Sequence, residues 1–203
     1  ILGGCKGTTG PSSINPVTGK RFGLDFPVIT VGDMVKVQYG LIRHLGIERL
    51  LCAIGGSLGG MQALEWAVRY PDAVESVVLL ATSHCNGAQQ IAFDAVGRTA
   101  IQADPEFAQG NYEQDAGPRK GLAIARMLAH ITYLSDESMH RKFGRTLRDT
   151  DKLGYHFGSE FNVETYLAYQ GERFVNRFDA NTYLYVTKAM DYFDIAAGFD
   201  SLD

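Results

Sequence analysis

Short, mostly apolar runs mark the predicted strands of this chain. Residues 49–54 and 74–81 are runs of this kind, and residues 1–5 have the pattern expected for the tail of another strand. Because residues 50–54 and 77–80 are consecutively apolar, the pattern favours a parallel sheet covered by helices on both faces. The first 90 residues therefore predict an alternating α/β arrangement, part of a larger core.

Helical spacing fills the gaps between these runs. Apolar residues recur with the 3.6-residue period over 34–45, and the helix they predict can be capped by Thr30 or Asp33. A second helix is predicted over 60–70, where helix-forming residues continue until Pro71 stops them. The order strand, helix, strand is the unit from which parallel sheets are built.

Beyond residue 90 the pattern changes to one helix after another. The predicted helices span 91–103, 118–134, 136–145, 163–178 and 180–194. We interpret residues 91–195 as a helical insertion that caps the α/β core of residues 1–90. The last two helices hold eight aromatic residues, which is typical of a core or of a subunit interface.

Composition narrows the function classes. The chain has 203 residues, of which 45% are hydrophobic and 21% charged, as expected for a globular enzyme. Its net charge of −4 offers no basic surface for nucleic acid or an acidic membrane, and no apolar run approaches the roughly 18 residues of a membrane span. The three cysteines lack metal-ligand spacing, so we expect a reducing, cytoplasmic setting and neither a metal nor a redox cofactor.

The stretch Gly55-Gly56-Ser57-Leu58-Gly59 lies between a predicted strand and a predicted helix. A serine in G-x-S-x-G at that position is the pattern of a nucleophile elbow, whose sharp turn needs residues without a Cβ atom beside the serine. The pattern predicts that Ser57 is exposed and that N–H groups at the start of the helix point to the same place. The alternative is a glycine-rich turn without chemistry.

Several long stretches, in the same order along the chain, carry a resemblance to a known family. They are 3–16 (GGCKGTTGPSSINP), 26–34 (FPVITVGDM), 55–66 (GGSLGGMQALEW), 125–135 (ARMLAHITYLS) and 177–184 (RFDANTYL). In them the chain resembles the homoserine O-acyltransferases of the α/β-hydrolase superfamily, which acylate the side-chain hydroxyl of L-homoserine in methionine biosynthesis. The resemblance implies an α/β-hydrolase fold, with a mostly parallel sheet, flanking helices and a helical cap.

The resemblance also implies a mechanism. Ser57 would take an acetyl group from acetyl-CoA and pass it to homoserine, a ping-pong reaction in which the backbone N–H of Leu58 forms half of the oxyanion hole. Arg126 and Tyr133, two helical turns apart, would hold the amino-acid substrate, because a guanidinium grips a carboxylate bidentately. The family further implies a homodimer through the cap helices. The nearest substitute for the other half of the oxyanion hole is the Gly7–Gly10 loop, to which we assign no role.

In α/β-hydrolases the catalytic residues follow the chain order serine, acid, histidine. The family's acid and histidine come after the cap, and residues 196–203 would begin the return to the core. Of the histidines after Ser57 we assign none as the base: His84, His140 and His156 have patterns of loop or surface residues. His130, one turn after Arg126, is expected to pack or to serve the cap. We therefore expect a piece of a longer chain, with little or no turnover alone.

Three other interpretations stay open. Leu58 after the nucleophile does not fix the donor, so an O-succinyltransferase of homoserine or of serine, using succinyl-CoA, is one alternative. A hydrolase on the same scaffold would use water as acceptor, and Arg126 and Tyr133 would then have no function. A non-catalytic interaction module would use the aromatic helices after residue 163 as an interface.

Overall fold

The chain folds into helices joined to two short strands, as described by a computed structural model over residues 1–113 and 116–197. The strands are β1 (Ala53–Gly56) and β2 (Val77–Leu80), and the helices are α1 (Val31–His44), α2 (Leu58–Arg69), α3 (Ala88–Gln102), α4 (Arg119–Thr132), α5 (Asp136–Phe143), α6 (Asn162–Val175) and α7 (Ala180–Asp191). Short 3-10 turns lie at Gly23–Asp25, Pro71–Ala73 and Pro105–Gly110. The predicted order, an α/β segment followed by consecutive helices, is confirmed.

Helix α1 begins at a reciprocal cap. The hydroxyl of Thr30 accepts the N–H of Asp33 at 3.1 Å, while the carboxylate of Asp33 accepts the N–H of Thr30 at 2.9 Å. Thr30 is therefore the N-cap, and Asp33 completes the capping box. The hydrogen bonds from Thr30 lower the pKa of Asp33. The apolar face predicted for this helix is only partly covered, since Met34 is buried but Val37 is 54% exposed.

The two strands pair in parallel, as predicted. Ala53 lies opposite Val77 and Gly56 opposite Leu80. Helix α2, which connects the strands, packs against both of them. Ile54 and Leu80 point to the same face of the pair by alternation and remain 67% and 52% exposed, so the described helices do not cover that face.

Two strand predictions need correction. The strand predicted over 49–54 begins only at Ala53, because the preceding residues contribute a single bridge between Leu50 and Val74. Residues 1–5 form no strand, and they turn instead, with the N–H of Gly3 donating to the carbonyl of Thr9 at 2.8 Å. An apolar run gives the potential to pair, but a strand also needs a neighbour whose backbone is in register.

The chain divides into two compact units. Among the described residues, one unit comprises Ile1–Asp94 together with residues 181–197, and the other comprises the described residues of Ala95–Ala180. Tyr185 of α7 packs in the first unit against Phe26 and donates its hydroxyl to the carbonyl of Leu24 at 2.9 Å. This places α7 with the core residues, whereas the pattern had assigned 91–195 to the cap. The predicted return at 196–203 lies outside the described residues except for its first two.

The aromatic residues of the last two helices divide between inside and outside. Phe174, Tyr185 and Phe193 are buried, each at 7% exposure or less, and so belong to the cores of their units. Tyr169 and Tyr192 are more than half exposed. The helical spacing did not separate these two groups, because both faces of each helix carry aromatic residues.

Candidate active site

Ser57 occupies the turn between β1 and α2 in a strained conformation. Its φ of 52° and ψ of −122° lie in a region that a residue with a side chain rarely adopts, at a cost of roughly 1–3 kcal/mol. Backbone hydrogen bonds hold this conformation. The N–H of Ser57 donates to the carbonyl of Leu80 at 3.0 Å, and the carbonyl of Ser57 accepts the N–H groups of Gly60 at 2.8 Å and Met61 at 3.1 Å. The Ser57 side chain is exposed. The predicted sharp turn with an exposed serine is therefore confirmed.

Close packing explains two of the glycines around this turn. A Cβ atom on Gly55 would lie 2.0 Å from the carbonyl oxygen of Gly59, and one on Gly60 would lie 2.6 Å from the Cβ atom of Thr82. By contrast, a Cβ atom on Gly59 would meet none of the described residues within 4 Å, and one on Gly56 would find its nearest neighbour at 3.6 Å. Close packing therefore requires glycine at positions 55 and 60 but not at 56 and 59. The G-x-S-x-G motif does not distinguish these two groups of glycines.

We expect Gly55→Ala to lower the free energy of unfolding by about 3 kcal/mol or more, because backbone atoms of Gly59 cannot move away without breaking the turn. Gly59→Ala is the matched control, and it should be neutral or stabilise α2 by up to ~1 kcal/mol through helix propensity. Urea unfolding of both variants checks this pair. Equal losses in the two variants would contradict the steric explanation.

The N–H of Leu58 is the first of helix α2, where helix geometry leaves the leading N–H groups without intrahelical partners. The Leu58 side chain packs against buried residues, Met61 among them. The backbone carbonyl of Leu58 accepts a hydrogen bond from the side-chain amide of Gln62 at 3.2 Å. Among the described residues, the hydroxyl oxygen of Ser57 has no hydrogen-bond partner. The turn thus holds an exposed serine hydroxyl beside a backbone N–H without an intrahelical partner, which is the arrangement that an oxyanion hole needs.

Arg126 and Tyr133 lie on one side of α4 and its end, as their spacing predicts. The Arg126 Nη1 atom donates to the Tyr133 hydroxyl at 3.3 Å, and the guanidinium carbon lies 4.7 Å from the ring centre of Phe174. The Nε atom of Arg126 is buried without a hydrogen-bond partner, and no carboxylate of the described residues pairs with this guanidinium. A half-buried cation without a counter-ion is a strong recognition element for an anion.

His130 supports this pair from the same helix. Its Nδ1 atom lies 2.9 Å from the hydroxyl of Tyr166 on α6, and its ring centre lies 5.4 Å from that of Tyr133. Of the two roles expected for His130, packing or a role in the cap, packing is confirmed by its contact with Tyr166. Its partner Tyr166 was not singled out from the sequence, because the contact joins α4 to α6. The only available signal was the position of His130 between Arg126 and Tyr133 on one helical face.

Burial lowers the pKa of His130 below its ordinary value of 6.5, and the nearby positive charges of Arg126, Lys142 and Arg177 lower it further. Above pH 6.5 the folded and unfolded chains both hold this ring neutral. Below it the unfolded chain binds a proton that the folded chain resists, so the stability falls as the pH drops from about 6.5 through the folded-state pKa. We expect unfolding midpoints between pH 7 and 5 to fall less steeply for His130→Asn than for the parent. His140→Asn, on the exposed face of α5, is the control, and an unchanged slope in His130→Asn would contradict this origin.

Comparison with known proteins adds the family. The family described as "alpha/beta hydrolase fold" matches residues 2–202.

The chain belongs to the α/β-hydrolase family.

This α/β-hydrolase is similar in sequence to acyltransferases of homoserine. It is 60% identical over 203 residues to a homoserine O-acetyltransferase of Rhodospirillum rubrum, a match covering all of this chain and 52% of the relative. It is 58% identical over 200 residues to a homoserine O-succinyltransferase of Magnetococcus marinus, covering 95% of this chain and 51% of the relative. The resemblance seen in the sequence is confirmed. The chain spans about half the length of the curated relatives it matches.

Solved structures agree on the fold. A homoserine O-acetyltransferase from Bacillus anthracis superposes with a TM-score of 0.85 at 34% identity, covering 96% of this chain and 52% of that one. Esterase E22 superposes with a TM-score of 0.81 at 33% identity, covering 93% of this chain and 52% of that one. An acyltransferase and an esterase therefore share this α/β-hydrolase architecture, so the fold does not choose between their acceptors.

No histidine of the described residues reaches Ser57 with a hydrogen bond. His84 follows β2 and is exposed, and its backbone carbonyl accepts the N–H of Ile195 at 3.0 Å. His156 accepts the N–H of Gly158 through Nδ1 at 2.9 Å. The base of this α/β-hydrolase is accordingly left unassigned, as it was from the sequence.

Other site classes find no support in the described part of the chain. Its histidine, cysteine and acidic residues form no group of three or more that could hold a metal ion. None of its helices combines the length and apolarity that crossing a membrane requires. In the Gly7–Gly10 loop, the N–H of Gly10 donates to the hydroxyl of Ser13 at 3.0 Å, and the role of the loop stays open.

Proposed function

We propose that this chain is the nucleophile-bearing part of a homoserine O-acetyltransferase, a cytoplasmic enzyme of methionine biosynthesis. The observation that carries the proposal is the strained, exposed Ser57 on the strand-to-helix turn. The 60% identity to the Rhodospirillum rubrum acetyltransferase supports the choice of reaction. Acyl-CoA would be a co-substrate, and no cofactor is needed for this chemistry.

The proposed reaction has two half-reactions. In the first, the Ser57 oxygen attacks the thioester carbonyl of acetyl-CoA, an ester bond forms, and the carbon–sulfur bond breaks to release the coenzyme A thiol. In the second, the hydroxyl of homoserine attacks the acyl-enzyme and frees Ser57. Each passes through a tetrahedral oxyanion to which the Leu58 N–H would donate, a contribution of roughly 10²–10³ in rate. In the first step a base takes the proton of Ser57 and gives it to the departing thiolate, and in the second it takes the proton of the homoserine hydroxyl and gives it to Ser57.

Arg126 is proposed to bind the α-carboxylate of homoserine, with Tyr133 beside it. The support is the unpaired, half-buried guanidinium, which is stacked on Phe174 and held by the Tyr133 hydroxyl. A carboxylate would supply the counter-charge that the described residues do not provide. An enzyme that used water as acceptor would have no need of such a cation.

The deciding experiment follows the fate of the acetyl group. Because the chain spans about half the length of its relatives, the complete product of its natural gene is purified and given acetyl-CoA with and without L-homoserine. We expect O-acetylhomoserine and coenzyme A in equal amounts, and slow thiol release without homoserine. 2-Aminobutyrate, which lacks the hydroxyl, is the acceptor control. Equal thiol release with and without homoserine, with acetate as product, would overturn the proposal.

The donor is tested in the same assay. Similarity to the Magnetococcus marinus succinyltransferase supports succinyl-CoA as an alternative donor. We compare kcat/KM for acetyl-CoA and succinyl-CoA at one homoserine concentration. A preference for succinyl-CoA would transfer the proposal to O-succinylation and leave the roles of Ser57, Leu58 and Arg126 unchanged.

An esterase is the second candidate, supported by the TM-score of 0.81 to esterase E22. In that case water resolves the acyl-enzyme, and a simple ester such as p-nitrophenyl acetate turns over faster than acetyl-CoA with homoserine. A protein that carries out neither reaction would favour the interaction module. These three outcomes are distinct in one series of assays.

We also propose a homodimer through the cap helices. Tyr169, on the outer side of α6, is 52% exposed and is a candidate contact, since tyrosine is enriched at interfaces. Light scattering on the complete protein and on Tyr169→Glu tests this: we expect a dimer for the first and a shift toward monomer for the second.

A further inference from the structure

The end of β2 and the two residues after it, Leu80 to Thr82, make two contacts with the backbone of Ser57. Leu80 accepts the Ser57 N–H at 3.0 Å, and the Thr82 hydroxyl donates to the Ser57 carbonyl at 2.9 Å. Ala81, between them, has a φ of 46°, a strained value for a residue with a side chain. Both polar backbone groups of the serine are therefore held by one short segment, which itself bends sharply to reach them.

The bond from Thr82 acts on the peptide unit that holds the proposed oxyanion donor. The carbonyl of Ser57 and the N–H of Leu58 belong to one planar peptide group and point in opposite directions, so fixing the oxygen fixes where the N–H points. The same carbonyl accepts from the N–H groups of Gly60 and Met61, and Thr82 supplies the side-chain donor. Hydrogen bonds to a carbonyl also polarise its amide, which makes the N–H a stronger donor.

Packing holds the Thr82 hydroxyl in this direction. The Cβ and Cγ2 atoms of Thr82 occupy the space in which a side chain on Gly60 would start, each 2.6 Å from that ideal position. Threonine is stiff about its first side-chain torsion, so a methyl group fixed against Gly60 also fixes the hydroxyl on the other side. Gly60 and Thr82 thus pack closely against each other, and both donate hydrogen bonds to the carbonyl of the Ser57–Leu58 peptide.

We propose that Thr82 is a positioning residue that aims the Leu58 N–H at the oxyanion formed on Ser57. The inference rests on the proposed role of Ser57 as nucleophile and adds a residue to that site. In this proposal Thr82 acts through the peptide plane that joins Ser57 to Leu58, and not through a contact with the substrate. Its removal should therefore weaken stabilisation of the transition state and leave substrate binding unchanged.

The test measures acylation of the complete natural protein by p-nitrophenyl acetate, an ester whose reaction depends on the oxyanion hole but not on homoserine. Thr82→Val keeps the shape and removes the hydroxyl, and we expect a loss of about tenfold in the acylation rate constant with KM unchanged, less than the ~10²–10³ for losing a donor outright. Thr82→Ser keeps the hydroxyl and should retain the rate to within about twofold. Thr82→Ala is measured in parallel, with the same expected loss, in case Thr82→Val does not fold.

Ser76→Ala provides a matched control from the same pair of strands. The Ser76 hydroxyl donates to the carbonyl of Leu51 at 2.7 Å, before the opposite end of both strands and away from Ser57. We expect this variant to lose stability as Thr82→Val does but to keep its acylation rate. An unchanged acylation rate in the Thr82 variants, or a change in KM alone, would overturn the proposal.

Failure of this inference is distinguishable from failure of the proposed function. If Ser57→Ala abolishes acylation while Thr82→Val matches the parent, only the positioning role is lost. If Ser57→Ala is still acylated at the parental rate, the nucleophile assignment fails and the inference about Thr82 fails with it.

Discussion

Ser57→Ala is expected to abolish acyl-enzyme formation and to lower turnover by roughly 10⁴-fold or more. The reason is that no bond to the acyl group can form without the Ser57 oxygen, and the remaining donors act only on an oxyanion that no longer arises. Intact-protein mass spectrometry after mixing with acetyl-CoA checks this directly. The parent should gain the mass of one acetyl group, and the variant should gain none.

The same substitution is expected to leave the stability of the fold nearly unchanged, in contrast to its effect on activity. Because Ser57 holds a strained backbone conformation that alanine shares, the fold should tolerate the change with little loss of stability. Ser57→Gly, which removes the side chain and relieves the strain, should raise the unfolding midpoint. If one and the same residue is acetylated in the parent and in Ser57→Ala, that residue is not Ser57, and the nucleophile assignment is contradicted. A large loss of stability in that variant would make its inactivity uninformative, and Ser57→Gly would then decide.

Arg126→Lys is expected to raise the KM for homoserine by about ten- to a hundredfold. The estimate follows from roughly 1.5–3 kcal/mol for a hydrogen bond to a charged group, part of which a lysine would lose with the bidentate geometry. The half-reaction with acetyl-CoA should be unchanged, since homoserine takes no part in it. Steady-state kinetics with homoserine as the varied substrate, together with pre-steady-state acetylation, separates these two effects.

Arg173→Lys is the control for this prediction. Arg173 contacts Tyr169 much as Arg126 contacts Tyr133: its Nη1 atom donates to the hydroxyl at 3.4 Å, and its guanidinium carbon lies 5.5 Å from the ring centre. The difference is that Arg173 is exposed. We expect no change in either kinetic parameter for Arg173→Lys. A KM for homoserine that stays at the parental value in Arg126→Lys would argue against carboxylate recognition and favour the esterase.

The helices were predictable because their signals are local. The period of apolar residues predicts α1 and gives Thr30 and Asp33 as candidate caps, and the structure makes Thr30 the N-cap with Asp33 as its partner in a capping box. The strands were less well predicted. Residues 50–54 are all apolar, yet pairing depends on a partner strand in register, and it begins only at Ala53.

The packing of α7 shows a similar limit. Its residues have helical spacing and follow the helices of the cap, so the sequence pattern joined them to the cap. Tyr185 instead packs on Phe26, about 160 positions earlier in the chain, and donates to a backbone carbonyl there. Periodicity shows that a face is apolar but does not show which surface will cover it.

Within the site, the sequence by itself predicted the sharp turn with an exposed Ser57 and the pairing of Arg126 with Tyr133, because each depends on spacing along one turn or one helix. The G-x-S-x-G motif did not show that Gly55 and Gly60 are the glycines that close packing requires. Nor did the sequence show that Thr82 hydrogen-bonds to Ser57 or that Tyr166 contacts His130. Those facts arise where two elements meet: the end of β2 with the Ser57 turn, and α6 with α4. Only the tertiary structure decided them, since contact between distant segments depends on how their backbones are placed in space, and a local pattern of residue types carries no such information.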